Sequence, residues 1–242
     1  MSGTVHVDWR SSPAVRIGLS LSVATGLYGI SFGALSVAAG LSFWQTVALS
    51  ALMFTGGSQF AFIGVVAGGG AGASALGAAT LLGVRNAVYG MSMNALVRPR
   101  GGLRLLAAHM TIDESNAAAS SQTRTLEERR GFWTAGVGVF LFWNLFTVVG
   151  ALLGNALGDP ARWGLDGAAV AAFLGLLWPR LGAREPVAVA VVCALVTALT
   201  IPVLPPGLPI LVAAVVAALL GRSRRRGAGA AGAASGGTEA GA

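Results

Sequence analysis

Apolar runs long enough to cross a bilayer, about 20 residues each, recur along this chain from about residue 17 to residue 221. Such runs need a non-aqueous solvent, and the rest of the chain cannot supply water with a wettable surface. An ordinary globular domain is about 25% charged, whereas here the charged share is 10% of 242 residues and the hydrophobic share 55%. These proportions exclude a water-soluble enzyme. The fold class they imply is all-α: a polytopic integral membrane protein of six to eight transmembrane or re-entrant helices.

The 36 glycines sit inside the apolar runs, where small residues let membrane helices approach closely. In the first run Gly18, Ser22, Gly26, Gly29 and Gly33 recur at three and four, the spacing of a packing face. All 16 basic residues are arginine, scattered through short links and a tail with no basic patch interleaved with aromatics, so nucleic acid is not an expected partner. Cys193 is a lone apolar-run cysteine and, with two scattered histidines, gives neither a disulfide framework nor a metal site. No cofactor is implied.

Residues 1–16 read as a polar cytoplasmic segment, 17–221 as one transmembrane transporter domain, and 222–242 as a basic, low-complexity, disordered cytoplasmic tail. Apolar segments fall at about 17–40, 44–68, 74–97, 131–157, 166–179, 185–204 and 208–221. Two are interrupted, at Thr55-Gly56-Gly57-Ser58-Gln59 and at Gly83-Val84-Arg85-Asn86, and broken helices are expected near 55–59 and 83–86. The stretch Arg98 to Gln122 is too polar for a lipid-facing helix. Arginine in short loops marks the cytoplasmic side. Placing Arg10/Arg16, Arg124/Arg129/Arg130, Arg180/Arg184 and Arg222 to Arg226 there puts both termini in the cytoplasm of a bacterial cell membrane. Arg98, Arg100 and Arg104 join them only if one broken segment enters and leaves on its own side.

Three constellations carry chemistry. An arginine at mid-membrane costs about 2.5–3.5 kcal/mol on insertion scales and persists only beside a partner or a polar cavity, so Arg85 is either a carboxylate-binding group, with Asn86 and Tyr89 beside it, or one half of an ion pair with Asp113 or Glu114. The Gly56-Gly57-Ser58-Gln59 run either breaks a helix and presents amides at a half-helix N-terminus, or packs closely with Ser58 bonded to the preceding turn. Asp113 and Glu114 either relay a proton or start a solvated helix capped by Thr111. A serine hydrolase would need Ser58 within reach of His109, and no enzyme is expected.

The chain resembles the AzlC family, the large subunit of two-component branched-chain amino acid exporters. The resemblance rests on Gly29-Ile30-Ser31-Phe32-Gly33, Phe54-Thr55-Gly56-Gly57-Ser58-Gln59-Phe60, Arg85-Asn86-Ala87-Val88-Tyr89-Gly90, Thr111-Ile112-Asp113-Glu114, Gly164-Leu165-Asp166 and Phe173-Leu174, in that order over about residues 14–220. It implies a roughly seven-helix exporter of leucine, isoleucine, valine and sometimes methionine, working with a small hydrophobic AzlD-type subunit. The family's arginine motif usually reads Asn-x-Arg-His; this chain has Gly83 and Asn86 in the asparagine and histidine positions, and Asn86 cannot titrate. The expected site is therefore Gly56, Gly57, Ser58, Gln59, Arg85, Asn86 and Tyr89 for the amino acid, with Asp113 or Glu114 for a proton. The rival reading is a structural or regulatory subunit of a transport complex.

Overall fold

The computed structural model describes residues 9–157, isolated positions between 162 and 177, and 178–236. The expected span at 166–179 and the stretch from Asp159 to Asp166 lie almost wholly outside those residues. The described residues are helical with no strand, and the chain divides into two compact units, Met1–Phe173 and Leu174–Ala242.

The first unit is built on two long helices, α1 (Pro13–Ala38) and α7 (Thr125–Leu157). Pro13–Ala38 and Thr125–Gly154 are the two stretches among the described residues long and apolar enough to cross a membrane. They pack backbone to backbone through small residues. A methyl on Gly26 would strike Phe142, on Gly33 the Thr147 carbonyl and on Gly150 the Ile30 carbonyl, while Gly18 faces Thr134 and Gly154 faces Ala34. Partners rise together along both helices, so α1 and α7 are parallel. The small-residue faces on α1 and at Gly150 and Gly154 are thus spent on packing within this chain. The Arg124–Arg130 link, expected to connect helices, is mostly the first turns of α7, whose Glu127 and Glu128 suit the positive end of the helix dipole.

Between these pillars run α2 (Phe43–Leu52), α3 (Gly57–Ala67), α4 (Gly72–Val97), α5 (Leu103–His109) and α6 (Asp113–Ser120). At 1.5 Å per residue α2 and α3 are about 15 and 17 Å long, half a membrane each. The helix expected to break near 55–59 does so at Met53–Gly56. Gly56 adopts φ +44°, a conformation that excludes most side chains, and the Gln59 amide donates to the Leu49 and Ser50 carbonyls at 3.0 and 3.2 Å, satisfying the orphan end of α2. The second expected break, at 83–86, does not exist: α4 is continuous through Gly83 and Arg85. One glycine costs a helix interior about 1 kcal/mol, which the rest of a 26-residue helix outweighs.

The tip of the α2–α3 pair lies halfway along α7. Ser50 bonds Thr147 at 3.2 Å, and a methyl on Gly56 would come within 4.0 Å of the Trp143 ring. From that tip α3 runs back beside α4, Ala61 and Val65 meeting Ala75 and Ala78, and turns at Gly68–Gly70. The far end of α4 reaches the start of α7, where Arg129 Nε donates to the Leu96 carbonyl at 3.5 Å. The pair α2–α3 therefore enters and leaves at the end where α1 finishes. That arrangement places the Arg98, Arg100 and Arg104 segment at the same end as Arg16 and Arg124, as the arginine distribution requires.

In the second unit α8 (Arg184–Thr200) and α9 (Leu208–Gly236) form an antiparallel hairpin. Cys193 Sγ lies 3.6 Å from the Ala213 carbonyl, and Glu185, Pro186 and Gly221 line one cavity, so Arg184 and Arg222 share an end. The tail expected to be disordered from residue 222 continues α9 as helix to Gly236. It is rich in alanine, the best helix former, and extending an existing helix carries no nucleation cost.

Candidate functional site

Three elements meet at the hairpin tip. The stretch Met53–Gly56 supplies Met53 and Thr55, the first turn of α3 supplies Ser58, and α4 supplies Ala79, Thr80, Gly83 and Val84. Together they line a cavity of about 330 Å³, at the lower end of the range of about 300–1,000 Å³ for small-molecule pockets. Ser58 is 1% exposed, yet neither its Oγ nor Thr55 Oγ1 has a hydrogen-bond partner among the described residues. The alternative in which Ser58 bonds the preceding turn is not what forms. Buried polar atoms are normally satisfied, so a run of unsatisfied ones marks a place where a solute or water can bond.

The same shortage extends around the tip. Tyr28 OH, Trp143 Nε1, Gln59 Oε1, Arg85 Nε and Asn86 Oδ1 are buried without a partner among the described residues. Tyr28 stacks on Phe60 with centroids 4.8 Å apart and meets Trp143 edge-on at 5.8 Å, while Phe32 stacks on Trp143 at 5.8 Å. Two aromatic rings with polar tips thus hold the α3 side of the tip against α1 and α7. Sequence reasoning missed both; their one signal was a mid-span position in each long apolar helix.

Arg85 forms an ion pair with Asp113 at 2.8 Å, joining α4 to the first turn of α6. The pair is partly exposed, at 24% and 17%, and Tyr89 follows one turn on along α4. Arg85 lies two residues beyond Gly83, about 200° round the helix at 3.6 residues per turn, and does not line the cavity with Ser58. Asn86, three residues on from Gly83, falls near the cavity's face of α4 instead. The expected site is therefore split: Gly56, Gly57 and Ser58 stand at the tip, Gln59 holds the break together through its amide, and Arg85 stands with Asp113.

Glu114 accepts a hydrogen bond from Thr25 of α1 at 3.3 Å. Burial pushes its carboxyl above the ordinary range and the Asp113 charge adds to the rise, against lowering by its own backbone, Thr25 and Arg85. The expected capping by Thr111 gives way to another arrangement. Ser115 Oγ accepts from the Ile112 amide at 3.0 Å, and Thr111 Oγ1 donates back to Ala107 at 2.7 Å. Both helices are too short to span, so this carboxyl pair sits at a junction of α1, α4 and α6.

Glu127 is a third residue the sequence did not single out. At 6% exposure its carboxylate accepts from Ser12 Oγ, from the Ala14 amide at 3.4 Å and from Arg130 Nη1 at 2.9 Å, while Trp9 lies 5.6 Å from the Arg130 guanidinium. It fastens the first turn of α1 to that of α7.

The hydrolase pairing does not form. His109 packs on Phe54 and Phe140 at 5.8 and 5.6 Å, and Ser58 has no base beside it. Among the described residues no group of His, Cys, Asp and Glu could hold a metal ion.

A family model described as AzlC protein matches residues 20–157, more than half of the chain. The chain belongs to the AzlC family. The match begins within α1 and ends with α7, so it takes in every residue of the tip cavity and of the Arg85–Asp113 pair. No curated protein and no solved structure matches the chain. AzlC is a transporter-type family, not an enzymatic one, and membership together with the apolar helices fits a membrane protein with a transport-related role.

Proposed function

We propose that this AzlC protein is a secondary transporter that exports branched-chain or similar apolar amino acids, leucine, isoleucine, valine and methionine among them, across the bacterial cytoplasmic membrane. It is coupled to protons and works with a small AzlD-type subunit. The observation that carries the reading is the re-entrant α2–α3 tip beside unpartnered buried polar groups, in a chain of a transporter-type family. Broken helices at mid-depth are how transporters bring backbone amides to a carboxylate. Gly56, Gly57 and Ser58 hold the carboxylate, with Asn86 near the same face of α4 and Gln59 fixing the break. Arg85 and Tyr89 contribute from the adjoining face, where Arg85 also answers to Asp113. Glu114 carries the proton, since Asp113 is occupied by the ion pair.

The test is efflux of preloaded radiolabelled leucine, valine and methionine from a host lacking its own exporters, with this chain expressed alone and with an AzlD-type subunit. Efflux from the pair supports the reading. Absence of efflux with both proteins in the membrane removes these amino acids as substrates.

The Arg85–Asp113 pair also favours a second reading, a structural subunit in which that pair only stabilises the fold. Exchanging the two charges separates them: restored folding with restored efflux favours the structural pair, restored folding with dead transport the site.

A further inference from the structure

Gly83 differs in kind from the glycines that pack α1 on α7. A methyl on Gly33 or Gly150 would strike backbone, whereas one on Gly83 would meet a single atom, Ser58 Oγ, at 3.5 Å, an ordinary contact. Close helix approach therefore does not require a glycine here, nor does the backbone, since α4 is continuous through the position. A side chain at 83 would instead enter the cavity of about 330 Å³ and lie over the buried, unpartnered Ser58 hydroxyl. Apart from the Ser58, Thr55 and Thr80 hydroxyls, Met53, Ala79 and Val84 make the walls apolar.

We propose that Gly83 is the specificity-determining residue of this cavity. Its missing side chain leaves Ser58 Oγ within reach of a solute and leaves room for a bulky aliphatic group. A larger residue at 83 trims the solutes that fit. The identity of the solute rests on the amino acid export reading; the control of access to Ser58 does not.

Two measurements test it. In a fitted apolar pocket one methylene changes discrimination by about 10- to 200-fold. Gly83→Ala should therefore lower the ratio of leucine to alanine efflux at least about ten-fold, with Gly83→Val lowering it further and the amount of folded protein in the membrane unchanged. Independently, Ser58→Cys in a Cys193→Ser background should react with N-ethylmaleimide, and adding Gly83→Leu should slow or abolish that reaction. An efflux ratio unchanged in both Gly83→Ala and Gly83→Val, in a parent that exports, overturns the specificity role. A labelling rate unchanged by Gly83→Leu overturns the proposal whatever the substrate. A parent that exports no amino acid while Gly83→Leu still blocks labelling removes the export reading and leaves the role of Gly83 standing.

Discussion

Arg85 and Asp113 are joined by a 2.8 Å ion pair that ties the middle of α4 to the first turn of α6. The contact explains how an arginine persists inside an apolar helix, and it puts a charge at the junction where Glu114 meets Thr25 of α1.

Breaking that pair should harm the protein in two ways. Arg85→Gln leaves Asp113 without its counter-charge, and removing one partner of a buried pair costs about 3–5 kcal/mol; partial exposure puts this one at or below the lower figure. The expected result is a lower melting temperature in detergent and loss of efflux, with membrane insertion intact. Normal efflux from Arg85→Gln would take the residue out of the site.

Glu114 gives a pH signature with a definite sign. Its folded carboxyl binds a proton more tightly than an ordinary glutamate near 4.5, so between the ordinary and the raised value the folded state holds more protons than the unfolded state. Stability should then fall as pH rises through that window. Melting curves across pH should show this decline in the parent and lose it in Glu114→Gln, and efflux by Glu114→Gln should lose its dependence on pH. A variant that keeps both slopes would move the proton elsewhere.

Gly56 should tolerate no side chain without strain. Its φ of +44° lies where a residue with a Cβ costs about 1–3 kcal/mol, and the distortion falls on the tip itself. Gly56→Ala is expected to reduce efflux far more than it reduces the yield of monodisperse protein.

The α1–α7 contact should be the most sensitive packing in the protein. Gly33→Ala and Gly150→Ala drive a methyl into backbone carbonyls, and overpacking of this kind costs about 1–3 kcal/mol or more. Gly90→Ala, with open space at its Cβ, serves as the control. Fluorescence-detected size exclusion should show loss of the folded peak for the first two only.

Glu127→Ala should free the start of α1. It strips Ser12 Oγ, the Ala14 amide and Arg130 of a shared acceptor, and a buried donor that loses its acceptor costs about 1–3 kcal/mol. Faster proteolysis near residue 12 with α7 intact is the expected outcome.

The long elements were legible because their causes are local. Gly18, Ser22, Gly26, Gly29 and Gly33 announced a packing face, and the arginines announced which ends lie together. Gly56 announced a break, since only its backbone freedom explains a glycine pair among Thr55, Ser58 and Gln59. Gly83-Val84-Arg85-Asn86 carried a similar local signal and misled, because continuity of α4 is decided by its neighbours in three dimensions. The division between Ser58 and Arg85 was equally hidden: both lie in polar interruptions, and the rotation of α4 about its axis, which sends Gly83 and Arg85 to different faces, depends on what α3 and α6 present. Apart from the Arg130 contact of Glu127, the partners of Tyr28, Trp143 and Glu127 described above lie between 32 and 115 positions away in the chain, a distance over which spacing carries no information.

The backbone contact between α1 and α7 has a mechanical meaning. Two helices interlocked through Gly26, Gly33 and Gly150 have no compliant side chains between them to absorb a slide or a rotation, so they behave as one stiff mast. The other pieces, α2, α3 and α4, touch that mast through ordinary side chains and a glycine hinge. If one face of this protein closes as the other opens, the travel belongs to the re-entrant pair and its α4 neighbour, with α1 and α7 as the fixed post against which they turn.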